Sequence, residues 1–236
     1  MKAWSQKLII AVFVVSAMLM WAGCSDNNDI IVSGNNTTQL SGIESYYPLT
    51  EGYQTTYSVH DIGGSDVTVV NRINGIDTTQ GFTLICQTAQ TGQTTDTGFF
   101  YVGADAILYF DYLSATPEKF LQTPLSNGST WNRFPTIQDD FSGILPDWNK
   151  GNNSNSKTVP TDGSSQMTVV GSDFVTLSHG DSYSYAVKVV NTGSNGTQNA
   201  YWFVSGVGMV KYILGVSQND PTTGNIVGEL TSYEQF

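Results

Sequence analysis

Three aromatic residues, a valine, a glycine turn and a second apolar arm follow one another in Tyr201-Trp202-Phe203-Val204-Ser205-Gly206-Val207-Gly208-Met209-Val210-Lys211-Tyr212. Such a stretch predicts a tight β-hairpin. A fainter copy lies upstream, where Phe99-Phe100-Tyr101-Val102 precedes a small-residue turn and Ala106-Ile107-Leu108-Tyr109-Phe110 follows it. Neighbours on a strand point to opposite faces, so Phe100 and Trp202 fall on the face opposite their flanking aromatics. Either both faces of the sheet are covered, or one presents an aromatic strip to a ligand or partner. In the second case Phe100 and Trp202 are the candidate contacts.

A second phrase also recurs. Pro48-Leu49-Thr50-Glu51-Gly52 leads into Tyr53 to His60, and Pro124-Leu125-Ser126-Asn127-Gly128 leads into the segment bearing Trp131. The first of these segments alternates, with Tyr53, Tyr57 and Val59 on one face and Gln54, Thr56, Ser58 and His60 on the other,. Asp66 to Ile73 and Phe82 to Ala89 read as further strands, and Tyr183 to Val190 takes the place of the latter ahead of the second hairpin. Two degenerate β-meander repeats follow, about 46–112 and 122–236, the second enlarged by an insertion at about 135–165 and ended by a strand near Ile226 to Tyr233. The best helix start is Thr116-Pro117-Glu118, with a capping threonine, proline at the first helical position and an early glutamate, so a short helix is predicted near 116–122. The fold class is all-β: one strongly curved antiparallel sheet forming an open half-barrel, with a β-sandwich as the alternative.

The N-terminus carries an address. Lys2 and Lys7 precede an apolar run from Leu8 to Met20, too short for a comfortable membrane span and typical of a secretory leader,. Ala22-Gly23-Cys24 looks like a bacterial lipobox, although Trp21 stands where leucine is usual. It implies a signal peptide over 1–23, lipidation of Cys24 and a membrane anchor. Residues 24–45 then read as a flexible tether, rich in Asn and Thr, before a single β-rich domain over 46–236. Ser25 after the cysteine, under the usual Gram-negative sorting rule, directs the chain to the outer membrane, on its periplasmic or surface face.

Charge narrows the partners. The chain has 9 Lys and Arg, two of them in the leader, against 20 Asp and Glu. That balance excludes nucleic acid, which needs clustered basic residues, and disfavours docking on anionic lipid through the domain itself. With Cys24 acylated, Cys86 is alone, and its parity with Leu84 predicts a buried, inert thiol.

Catalytic chemistry is sparse. His60 sits on the polar side of the first strand and His179 in a Ser178-His179-Gly180-Asp181 turn, and neither belongs to a metal or triad spacing,. Asp139, Asp140, Asp147 and Asp162 are scattered through the insertion without a calcium-loop pattern. No catalytic residue, metal or cofactor is therefore expected. Within the insertion, Ile144, Leu145 and Trp148 are the apolar exceptions, and Trp148 is the third candidate contact.

Tyr46-Tyr47-Pro48-Leu49…Gly52, Pro124-Leu125…Gly128…Trp131 and Tyr201-Trp202-Phe203…Gly206-Val207-Gly208-Met209-Val210-Lys211 together resemble a group of uncharacterised bacterial lipoproteins. The resemblance spans nearly the whole domain and implies an exported, β-rich lipoprotein without assigning a catalytic residue. The functional expectation is a non-enzymatic binding module with an envelope protein or glycan as partner. The alternative is a carrier holding a hydrophobic ligand in a cavity of the curled sheet.

Overall fold

Alternating apolar side chains, broken every eight to twelve residues by glycine or Asn/Asp turns, produce strands almost throughout. The computed structural model describes residues 42–61, 66–77, 84–110, 118–133, 165–193, 198–216 and 226–236. The leader, Cys24, the tether up to residue 41 and the insertion apart from Ser165, with Trp148 and its four aspartates, lie outside them.

Six strands form the first half: β1 (Tyr53–Asp61), β2 (Val67–Asp77), β3 (Leu84–Thr91), β4 (Thr94–Val102), β5 (Ala106–Phe110) and β6 (Glu118–Gln122). Six more form the second: β7 (Thr130–Asn132), β8 (Gln166–Thr176), β9 (Ser182–Thr192), β10 (Gln198–Val204), β11 (Gly208–Val216) and β12 (Ile226–Gln235). Each half is an antiparallel meander, and β1 pairs with β12 to give one sheet in the order β6-β5-β4-β3-β2-β1-β12-β11-β10-β9-β8-β7. The sheet curls until its ends meet. Lys119 N–H donates to Arg133 O at 2.7 Å, and the Trp131 indole N–H donates to Lys119 O at 3.1 Å. The result is a nearly closed barrel, not a sandwich.

Both halves begin alike. Tyr53 N–H bonds Thr50 O at 3.0 Å and Ser129 N–H bonds Ser126 O at 3.0 Å, while Gly52 and Gly128 donate to Ile73 and Val169 on the next strand. Gly52 and Gly128 have φ of 79° and 86°, a conformation that favours glycine, which explains why both Pro-Leu phrases end on one,. Just beyond, β2 and β8 each carry an irregularity, between Ile73 and Gly75 and between Val169 and Gly171.

The short helix predicted near 116–122 is corrected. Glu118–Gln122 is strand β6, paired antiparallel to β5. A helix this short gains too few hydrogen bonds to offset nucleation. Pairing with β5 satisfies the backbone at once and brings Phe120 into the aromatic core beside Tyr47, Phe100 and Phe203. Helical turns do appear at Gly42–Tyr46, a 3-10 segment inside the stretch read as tether, where Ile43 is buried.

Eight strands close into a barrel that side chains can just fill, and twelve leave more room. Large aromatic rings and the Gly42–Leu49 segment, which packs on β5, β10 and β11, take up that space. A smaller apolar cluster of Leu84, Cys86, Phe99, Ala106, Leu108 and Phe110 lies apart from this core, on β3, β4 and β5. Cys86 in it is disulfide-bonded rather than the lone thiol expected.

Candidate functional site: the barrel lumen

Aromatic rings from five segments meet inside the barrel. Tyr47, carried in by the 3-10 segment, lies 5.3 Å from Phe100 and 4.8 Å from Phe120, the latter edge-on. Phe100 continues to Tyr109 at 5.0 Å, and Phe120 continues edge-on to Phe203 at 5.9 Å. Between these rings and Met167, Met209, Tyr212 and Leu214 remains a cavity of about 90 Å³. One water needs roughly 10–15 Å³, so the space admits several atoms beyond a single water.

The walls are not wholly apolar. Asn71 of β2, Gln87 of β3 and the Glu118, Lys119 and Arg133 side chains at the β6–β7 junction also reach the cavity. Gln87 donates to the Tyr47 hydroxyl at 3.3 Å. Arg133 donates to one Glu118 oxygen through Nε at 2.8 Å and Nη2 at 2.6 Å. The Asn71 Oδ1 is buried without a hydrogen-bond partner.

Burial dominates the electrostatics. It pushes the Tyr47 phenol up to about 12, with the Gln87 bond acting weakly against it. Burial likewise raises Tyr201, where Arg133 opposes the shift and Glu118 adds to it. Tyr57 is raised as well, chiefly by burial, and donates to Met209 O at 2.6 Å, while Tyr53 donates to Val207 O at 2.6 Å. These two bonds tie β1 to the β10–β11 hairpin. The phenols stay neutral donors, and none is poised as a base.

The two aromatic triples turn opposite ways. Phe100 points into the lumen, only 2% exposed, while Phe99 and Tyr101 join the smaller cluster. In the second copy Tyr201 and Phe203 line the lumen and Trp202 faces away. Trp202 is 7% exposed, its indole N–H bonded to Asp173 at 3.2 Å and the Lys188 ammonium 5.0 Å above its ring. Both faces are thus covered, and no exposed aromatic strip forms at Phe100 or Trp202. His60 and His179 each pair locally, with Asp66 and Asp181, on the exterior.

Sequence reasoning missed Asn71 and the Glu118–Arg133 pair. Asn71 had a signal: it takes the inward place between Val69 and Ile73 on an alternating strand. The ion pair had none, because its members come from segments whose meeting depends on barrel closure.

No protein-family model and no curated protein matches the chain. Among solved structures, a candidate lipoprotein from Parabacteroides distasonis ATCC 8503 is similar at 11% identity, covering 80% of this chain and 98% of that one, with a TM-score of 0.40.

Proposed function

We propose that this chain is a non-enzymatic envelope lipoprotein, anchored in the outer membrane through Cys24, that binds a small molecule inside its barrel. The lumen carries the reading. An interior filled by side chains would leave no room for a ligand, and this one keeps a cavity of about 90 Å³ between aromatic walls and a few polar groups,. The space suits a compact molecule better than a long acyl chain, which narrows the carrier alternative to small cargo. Partner capture through an exposed aromatic strip loses its support, since Phe100 and Trp202 are both buried.

Native mass spectrometry of the exported mature protein, before and after solvent extraction, tests the binding. A small co-purifying mass that extraction removes is the expected result. A bare polypeptide mass, together with no uptake of added small ligands, overturns it. The same spectra test the anchor. A mature mass carrying acyl groups supports the anchor, and an unacylated mature chain removes it.

A further inference from the structure

Independently of the lumen, we infer that the edge of β8 facing away from β9, over residues 171–176, takes up an extended segment of a partner protein with basic flanks. β8 is 11 residues long and its other neighbour, β7, only 3. β7 pairs with residues 166–168, and Val169 bonds Gly128 N–H and Ser129 O of the turn before it. Beyond Val169 no strand pairs with that side of β8 among the described residues. Alternate residues of such an edge direct their N–H and C=O groups outward, and another extended backbone is the chemistry that matches both.

The edge is regular where it is free. Val169 and Gly171 oppose the adjacent Val189 and Lys188, so the extra residue there is Val170, just outside the free run. Asp173 and Val175 oppose Ala186 and Tyr183, so at the second irregularity the extra residue belongs to β9. The run contains no proline and no lysine, the usual guards of an open edge,. Its one charge, Asp173, is engaged by the Trp202 indole N–H and by Lys188. Phe174 is 67% exposed and Tyr185 on β9 is 82% exposed, so apolar surface stands ready for a partner's side chains,. Charge sets the flanks. With 20 acidic against 9 basic residues, the chain attracts a basic segment and repels a second copy of itself,.

The probe is a synthetic peptide of alternating valine and threonine with lysines at both ends, titrated into the purified mature protein. At saturation, amide exchange over residues 171–176 should slow about tenfold while β1 and β12 are unchanged. Phe174→Ala/Tyr185→Ala removes two exposed side chains, keeps the fold, and should weaken binding about tenfold. The same peptide N-methylated at every valine and threonine should not bind, because main-chain bonds carry this pairing. Undiminished binding of the methylated peptide overturns the edge pairing, and equal binding of a glutamate-flanked peptide overturns the basic partner. If the lysine-flanked peptide leaves exchange over residues 171–176 unchanged, the inference falls and the lumen reading stands.

Discussion

Two seams close this barrel, and each joins the last strand of one half to the first strand of the other. At the β12–β1 seam, pairing runs from Tyr53 opposite Gln235 to Asp61 opposite Ile226, with one irregularity at Thr56/Tyr57. At the β6–β7 seam the described residues supply one backbone bond, Lys119 to Arg133, and side chains do the rest through the Trp131 indole and the Glu118–Arg133 pair. A backbone ladder is largely indifferent to which side chains it carries, whereas a side-chain seam concentrates its stability in a few residues. The cause is local: β7 is only three residues long. Glu118, Lys119 and Arg133 at this second seam line the lumen, so the candidate site lies where the two halves differ.

Opening the side-chain seam should have the largest effect. Trp131→Ala removes a buried indole and its bond, and is expected to cost about 3–5 kcal/mol in denaturant unfolding,. Trp131→Phe, which loses mainly the bond, should cost about 1 kcal/mol. Hydrogen exchange should quicken in β6, β7 and β8 of the alanine variant while β1 and β12 stay protected. Equal loss of protection at both seams would show that the barrel opens as one unit and dissolve the contrast.

Next comes Glu118→Gln. Glu118 and Arg133 are largely buried and bonded to each other, and breaking that bond should cost about 3 kcal/mol,. The double variant Glu118→Gln/Arg133→Gln should cost less than the two single losses combined. Strict additivity in a double-mutant cycle would mean that the pair does not hold the seam.

Each half also lays a tyrosine over a glycine of the neighbouring strand. A Cβ on Gly228 of β12 would lie 2.1 Å from the Tyr212 ring, and one on Gly98 of β4 would lie 2.5 Å from the Tyr109 ring. Overpacking of this kind costs about 1–3 kcal/mol, and Gly228→Ala should be the more damaging of the two. It disturbs a strand of the ladder seam, where Gly228 pairs with Val59. Matching unfolding midpoints for the two variants would show that the halves yield equally despite their different seams.

These residues also show where the sequence was legible. Val69, Ile73, Tyr57 and Val59 announced their strands through period-two burial, because alternation is a local property that needs no knowledge of the partner strand. The two Pro-Leu…Gly phrases disclosed their turns, since each needs a glycine at positive φ. Glu118–Gln122 misled for the opposite reason. Its helix-start chemistry is local, while the force that makes it a strand is the edge of β5 arriving from elsewhere in the chain. The faces of Phe100 and Trp202 were hidden too. Alternation fixes which residues share a face but not which face turns inward, so like sequences present unlike faces. The Asn71 position was readable as a polar residue on an apolar face, but only the closed barrel shows that a cavity lies before it.

A smaller, pH-dependent effect separates the ion pairs of the two seams. Glu229 of β12 accepts from Lys211 Nζ at 2.7 Å and from Ser178 N–H at 2.7 Å. Burial alone would raise its carboxyl, but these bonds outweigh that and hold it below the usual carboxylate value. A depressed carboxyl stabilises the fold at pH above its unfolded value, and this contribution fades as pH falls through the folded one. Wild-type stability should therefore decline below about pH 4.5. Glu229→Gln should flatten that part of the decline, with its remaining cost above pH 6 independent of pH. Urea midpoints of the two proteins between pH 3 and 7 provide the measurement. Parallel curves would remove Glu229 as the source of the acid slope and leave Glu118, at the side-chain seam, as the carboxylate to test next.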